Sequence, residues 1–201
     1  MDEPRDDERV RVASPKTLKR KGWFIAGGRD GDRTLEQQLI GLAPLFETIA
    51  GKTVLDAGCA EGLISIELAK AGAVKCHGLE FVKWHVHMAM DFAAEAGVPC
   101  TFEVANLNEF DIDQCEPADV VLMLAILHKL KDPTAACTAL AGRARETCVI
   151  RLPPTGPVIV DDRSERVPHD ILLAMVRAGF DLTHETVGPF DEWMGYFTRH
   201  P

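Results

Sequence analysis

The stretch from Thr53 to Gly72, TVLDAGCAEGLISIELAKAG, constrains this chain more than any other. Val54 and Leu55 make a short apolar run that ends on Asp56, as a buried strand does at the edge of a sheet. Gly58 and Gly62 bracket a turn where backbone can come close to a ligand, because glycine has no Cβ to block it. Beyond Gly62, Ile64, Leu68 and Ala71 recur at helical spacing, which predicts a helix from near Glu61. A strand that feeds a helix through glycines is the corner where open α/β sheets cradle nucleotides.

The rest of the chain repeats that alternation. Residues 1–20 are dense in charge and lack apolar periodicity, which predicts a mobile tail. Residues 21–50 hold an aromatic, glycine-rich stretch, KGWFIAGGRDGDR, that reads as a docked loop or a lid over a ligand. A helix follows from Thr34, kinked or split by Pro44. Residues 51–201 read as the core domain. Within it, strands are expected at 74–80, 100–106, 118–127 and 147–152, with helices from Val82 and from Asp132-Pro133, where aspartate caps and proline takes the first turn. The run ADVVLMLAIL is apolar throughout, the mark of a central parallel strand buried on both faces. A helix from His169 and two strands joined by GPFD complete the chain. The pattern predicts an α/β fold: a doubly wound, mostly parallel seven-stranded sheet with a C-terminal antiparallel hairpin and helices on both faces.

Composition narrows the function. A net charge of -9 repels phosphate backbones at long range and disfavours non-specific nucleic-acid binding. The 6 cysteines form no C-x-x-C pair and several lie in apolar contexts, which predicts free thiols in a reducing, cytoplasmic compartment. No membrane span and no signal peptide is expected. His85 and His87 are two positions apart, on different faces of a helix, so no metal pair is expected. The absence of a G-x-S-x-G elbow and of a P-loop argues against hydrolase and NTPase chemistry.

Two cofactor classes use a strand, a glycine turn and an acid at the end of the next strand. Dinucleotide enzymes need G-x-G-x-x-G, and here Ala60 and Leu63 occupy the second and third glycine positions. The sequence VLDAGCAEG instead resembles the first motif of class I S-adenosylmethionine-dependent methyltransferases, [DE]-x-G-x-G-x-G. Asp56, Gly58 and Gly62 match it, and Ala60 departs from it at a cost that is small if the backbone angle there is ordinary. The resemblance covers about Gly51 to Arg199. It implies S-adenosyl-L-methionine as cofactor, bound by Asp56, Gly58, Cys59, Ala60 and Gly62 at the turn. It implies that Glu80, 24 positions beyond Asp56, takes the ribose hydroxyls, since a carboxylate accepts two hydrogen bonds side by side. Phe81 would neighbour it. Asn106, preferred over Asn108 as the strand-end residue, would accept the adenine amino group, with Leu107 against the ring. Leu124 and Ala125 would present backbone near the methionine part. An arginine, Arg33 in preference to Arg29, would meet the cofactor carboxylate.

His128 follows the fourth strand of the motif set. It is either a pocket-lining residue or the base that takes a proton from an acceptor hydroxyl. Asp161, Asp162, Arg163 and Arg166, in the loop after the fifth strand, are either acceptor contacts or plain surface. The expected activity is methyl transfer to a small-molecule acceptor, an oxygen nucleophile, because the core uses most of the chain and the charge is acidic. The alternatives are a tRNA acceptor, suggested by ILHKLKDP, a non-catalytic cofactor-binding partner subunit, and a nicotinamide oxidoreductase, which the broken glycine pattern opposes.

Overall fold

The computed structural model describes residues 22–25, 31–154 and 166–201. The expected tail at 1–20, Arg29, and Asp161, Asp162 and Arg163 lie outside the described residues. In chain order the elements are β1 (Gly22–Ile25), β2 (Gly31–Thr34), α1 (Leu35–Leu39), α2 (Ala43–Thr48), β3 (Thr53–Ala57), α3 (Leu63–Lys70), β4 (Lys75–Glu80) and α4 (Lys83–Ala96). These are followed by β5 (Cys100–Val104), β6 (Ala118–Leu124), α5 (Pro133–Ala141), β7 (Ala144–Leu152), α6 (Arg166–Arg177), β8 (Phe180–Val187) and β9 (Trp193–Arg199).

Seven strands form one sheet in the order β5-β4-β3-β6-β7-β9-β8, while β1 and β2 pair separately. All neighbours among β5, β4, β3, β6 and β7 are parallel. β9 runs antiparallel to both β7 and β8 and so is the single reversed strand. The order reverses between β3 and β6, which follow one another outward from the middle of the sheet in opposite directions. This is the topological switch point at which open α/β sheets form a crevice beyond their carboxyl ends.

Alternation along the strands divides the core in two. Val54, Cys76 and Phe102 face a cluster built with α2, α3 and α4, including Leu45, Ile64, Leu68 and Val86. Leu55, Leu79, Val121, Met123 and Ile150 face the other cluster, with Leu140 of α5, Ile171 of α6 and Phe180. β6 is buried at six of its seven positions, as its continuous apolar run predicts. The Tyr196 hydroxyl donates to the Gly41 carbonyl at 2.6 Å and ties β9 to the N-terminal helices.

The helix signals act as their chemistry dictates. Pro44 splits its segment: α1 ends at Leu39 and α2 starts at Ala43 with the proline in its first turn, where no donor is needed. Asp132 caps α5 by accepting from the Ala135 N–H at 2.9 Å. Several boundaries differ from expectation, among them β6, which ends at Leu124 and not at Leu127, and β7, which starts at Ala144 and not at Thr147. α3 starts at Leu63 and not near Glu61, because Gly62 is left-handed at φ 71 and closes the turn first. β5 ends at Val104, before Asn106, because the chain turns once Ala105 N–H has bonded the Glu80 carbonyl. α6 starts at Arg166, ahead of His169, with Pro168 tolerated in its first turn. Between β5 and β6 the described chain makes only a 3-10 turn, Ile112–Gln114.

Candidate active site

The site is built where β3 and β4 end side by side. Asp56 pairs with Gly78 in the β3–β4 register, and β3 hands over to the Gly58–Gly62 turn while β4 ends on Glu80. The Gly58 and Cys59 N–H groups both donate to the Leu79 carbonyl, at 2.8 and 3.1 Å, which folds the turn back over the end of β4. Glu80 locks it there. One carboxylate oxygen accepts from the Ala60 N–H at 3.1 Å and the other from the Val82 N–H at 2.8 Å. Burial raises the Glu80 carboxyl, but the adjacent His85 imidazole and these two N–H groups outweigh it and hold the pKa below the usual value.

Asp56 does something different from capping the turn. It is 3% exposed and accepts from the Ser65 hydroxyl of α3 at 2.6 Å. Burial pushes its carboxyl up to about 6, against the Ser65 bond and the Arg151 charge, which pull it down. The carboxylate that orders the turn is therefore Glu80.

Ala60 corrects the sequence reading. Its φ is 49, in the left-handed region, so the backbone angle is not ordinary and the missing glycine has a cost. Ala125, just past the end of β6, is likewise left-handed at φ 55. Two left-handed alanines thus follow the ends of β3 and β6, the strands that flank the switch point, and such strain concentrates at ligand sites. Replacing Ala60 by glycine is expected to stabilise the protein by about 1 kcal/mol, the left-handed penalty less glycine's extra chain entropy. Urea unfolding of the two proteins checks this; an unchanged or lower midpoint would contradict the strain.

The other expected residues distribute unevenly. Cys59 is buried, and burial raises its thiol pKa well above the usual value. Phe81 is exposed at the end of β4, and Leu107 is half-buried against the second core cluster. Asn106 lies in the turn after β5, where its carboxamide oxygen accepts from the Asn108 N–H at 3.2 Å. Leu124 is buried at the end of β6, packed into the first cluster. His128 lies in a 3-10 turn, Leu127–Lys129, after β6. Its ring reaches the surface, yet the protein around it, with the Lys129 and Arg33 charges, pushes the imidazole down to about 4.

Sequence reasoning missed a charged wall on the far side of the crevice. Arg151, 2% exposed near the end of β7, donates through both terminal nitrogens to Gln38, to its carbonyl at 3.1 Å and its Oε1 at 3.0 Å. Its Nε stands 3.3 Å from Glu192 Oε2, and Glu192 is 4% exposed. Arg33 meets Glu192 Oε1 at 3.5 Å and lies 4.7 Å over the Phe190 ring. A lone arginine inside the apolar run CVIRL was a readable signal of a buried partner; nothing nearby in sequence pointed to Glu192. No cluster of three or more metal-ligating side chains occurs among the described residues.

Residues 54–145 match the family model for a methyltransferase domain. The chain has the fold of class I methyltransferases, and at that level it resembles solved structures. One is the magnesium protoporphyrin IX methyltransferase from Synechocystis PCC 6803 with bound SAM, at TM-score 0.64 and 20% identity over 82% of this chain and 79% of that one. A SAM dependent methyltransferase from Aquifex aeolicus gives TM-score 0.61 and 18% identity, over 79% and 88% of the two chains. Among curated proteins, the ubiquinone biosynthesis O-methyltransferase of Bordetella parapertussis is 32% identical over 101 residues, 49% of this chain and 42% of that protein. The protein of the same name from Xanthomonas axonopodis pv. citri is 29% identical over 131 residues, 65% and 51%. The chain thus spans about half the length of the curated relatives it matches. No helix among the described residues is long and apolar enough to cross a membrane.

Proposed function

We propose that this domain uses S-adenosyl-L-methionine to methylate an oxygen nucleophile on a small molecule. The observation that carries the reading is Glu80. It stands at the end of β4, beside the turn that follows β3, with each carboxylate oxygen bonded to one backbone N–H, from Ala60 and from Val82. A carboxylate oxygen accepts two bonds, so each keeps a lone pair, and together they match the two hydroxyls of a ribose. The donor set therefore fits the cofactor. The relatives' name, ubiquinone biosynthesis O-methyltransferase, supports an oxygen acceptor of small-molecule class.

When bound, the cofactor supplies an electrophilic methyl group on a sulfonium. The chain supplies position and charge. The turn at Gly58, Cys59, Ala60 and Gly62 brings backbone to the ligand, with Phe81, Asn106 and Leu107 on the adenine side. Ala125 and Leu124 bring backbone from β6. Arg33, already matched to a carboxylate in Glu192, suits the cofactor carboxylate. Asp56, whose buried carboxyl is raised to about 6, adds negative charge at the end of β3 near pH 7. His128 is neutral above about pH 4, so near pH 7 its ring is an acceptor. Such a weak base takes a proton only as the acceptor oxygen gains positive charge during attack. The six thiols suit a reducing, cytoplasmic setting.

Calorimetric titration with S-adenosylmethionine, S-adenosylhomocysteine and NAD tests the cofactor. Binding of the first two and not of NAD is expected. Glu80→Ala is expected to weaken that binding by about 1–3 kcal/mol, the cost of stranded polar groups. Methyl transfer to a panel of catechols and phenols, with bulk tRNA alongside, tests the acceptor. Transfer to tRNA alone would overturn the small-molecule reading.

A further inference from the structure

The turn from Gly188 to Glu192 carries an aromatic side chain that the reading above does not use. It joins β8 to β9 at the carboxyl edge of the parallel strands, since Trp193, the first residue of β9, pairs with Leu152, the last of β7. Within it Phe190 and Asp191 are both left-handed, at φ 59. A positive φ is uncommon for a residue with a side chain and an outlier for a bulky one. The Gly188 N–H donates to the Glu192 carbonyl at 2.7 Å and the Glu192 N–H to the Pro189 carbonyl at 3.2 Å, which closes the turn at its base. Pro189 and Glu192 are buried, whereas Phe190 is 53% exposed. The backbone is strained, and the apolar ring it carries stands in the open.

The Arg33 guanidinium lies over that ring, 4.7 Å from its centroid, and pairs with Glu192, which Arg151 meets from within the protein. A guanidinium covers a ring with its flat face and keeps its N–H groups for anions. The contact therefore does not compete with the carboxylate role given to Arg33 above. Burial, and after it charges that include Arg33, hold down the pKa of both His128 and Lys129 in the turn after β6, while Glu80 and Glu192 pull Lys129 the other way. Arg33 and Phe190 thus border the crevice that holds Glu80 and His128, from its opposite wall. A turn that only reversed the chain would place glycine or asparagine at such angles. An exposed cation–π contact is too weak to offset two left-handed residues. Strain of this kind concentrates at ligand sites.

We propose that Phe190, backed by Arg33, is the specificity residue of the acceptor site and stacks a planar hydroxy-aromatic acceptor. The inference rests on the methyl transfer to oxygen proposed above and names the class of small molecule that receives it. A cation over one face draws electron density from the ring, and a ring so polarised pairs best with an electron-rich partner, in offset or edge-to-face contact. Phenols and catechols are such partners. A saturated alcohol of the same size has no π face to offer. Selection then acts at the turn between β8 and β9, apart from the cofactor contacts of β3 and β4.

Steady-state methylation by the full chain tests this, with catechol, phenol and caffeate set against cyclohexanol at saturating S-adenosylmethionine. The wild-type protein is expected to take the aromatic acceptors and to leave the saturated one. Phe190→Leu and Phe190→Gly are expected to raise the KM for the aromatic acceptors on the order of tenfold, the scale of one lost aromatic contact, with kcat and S-adenosylhomocysteine affinity unchanged. Phe190→Tyr is expected to keep the wild-type KM. Phe190→Gly is also expected to unfold at no lower urea concentration than wild type, because glycine relaxes the backbone angle. A phenyl with a merely structural role would not separate stability from acceptor binding in this way. An unchanged acceptor KM in both the leucine and the glycine variants overturns the inference. So does a wild-type protein that binds S-adenosylhomocysteine and methylates cyclohexanol alone or none of the aromatic acceptors. Failure of the wild-type protein to bind S-adenosylhomocysteine would instead remove the functional reading, and the inference with it.

Discussion

Truncation of Arg151 to alanine is expected to destabilise the protein by about 3–5 kcal/mol, the usual cost of leaving a buried charge without its partner. Glu192 is 4% exposed and, among the described residues, would keep the long 3.5 Å contact to Arg33. The carbonyl and Oε1 of Gln38, itself 4% exposed, would lose their donors as well. The magnitude comes from what is stranded and not from what the pair contributes, since taking both charges out of water offsets most of their attraction. The double variant Arg151→Met, Glu192→Leu separates the two. It is expected to recover most of the loss, because neither charge of the pair remains buried. Chemical denaturation of wild type, single and double variants checks this; equal loss in single and double would show that the arginine acts through packing alone.

Gly62→Ala is expected to cost roughly 3 kcal/mol, combining a left-handed penalty with overpacking. The residue sits at φ 71, and an added Cβ would lie 2.5 Å from Phe102 Cζ and 2.9 Å from Ala89 Cβ. Phe102 is buried between β4 and the α3–α4 layer and cannot retreat without disturbing that cluster. Gly97→Ala is the control. That glycine is also left-handed, at φ 64, but an added Cβ meets nothing within 4 Å, so only the backbone penalty of about 1 kcal/mol applies. Equal midpoints for the two variants in urea would show that the Phe102 contact relaxes freely. The comparison also shows that the second matched glycine of the motif is required by packing as much as by any ligand.

The order of strands and helices was legible because it is written locally. Period, glycine and proline carry it, as at Asp132-Pro133 and in the apolar run of β6. Glu80 was legible as a strand-end acid after a glycine turn. What its carboxylate binds was not, because the partners, Ala60 N–H and Val82 N–H, are backbone groups with no sequence signature. The backbone angle at Ala60 was illegible for the same reason, and the residue gave no warning of its strain. His85 was read as one of two histidines without a shared face. That excluded a metal and left unread its burial between Glu61, 24 positions earlier in the sequence, and Glu80. Asn106 was placed at a strand end by a composition that continues past the last ladder bond, while the chain had already turned. Glu192 and Arg151 meet only because β9 lies beside β7, a pairing that no local pattern encodes.

That pairing has a consequence for how the protein is made. Chains emerge from the ribosome amino end first. β7 lies next to β9, and β8 is synthesised before the strand that must come between them. From the emergence of β7 until β9 appears, the row Cys148, Val149 and Ile150, each 0% exposed in the finished fold, forms an open apolar edge. Such an edge invites pairing with another nascent chain. Arg33 waits across 159 positions for Glu192 over the same interval. The crevice is therefore walled on one side early, by β3, β4 and their helices, and on the other only when the last strand arrives. A ribosome stalled before Glu192 holds a nascent chain with the Glu80 half of the crevice built and the opposite wall missing.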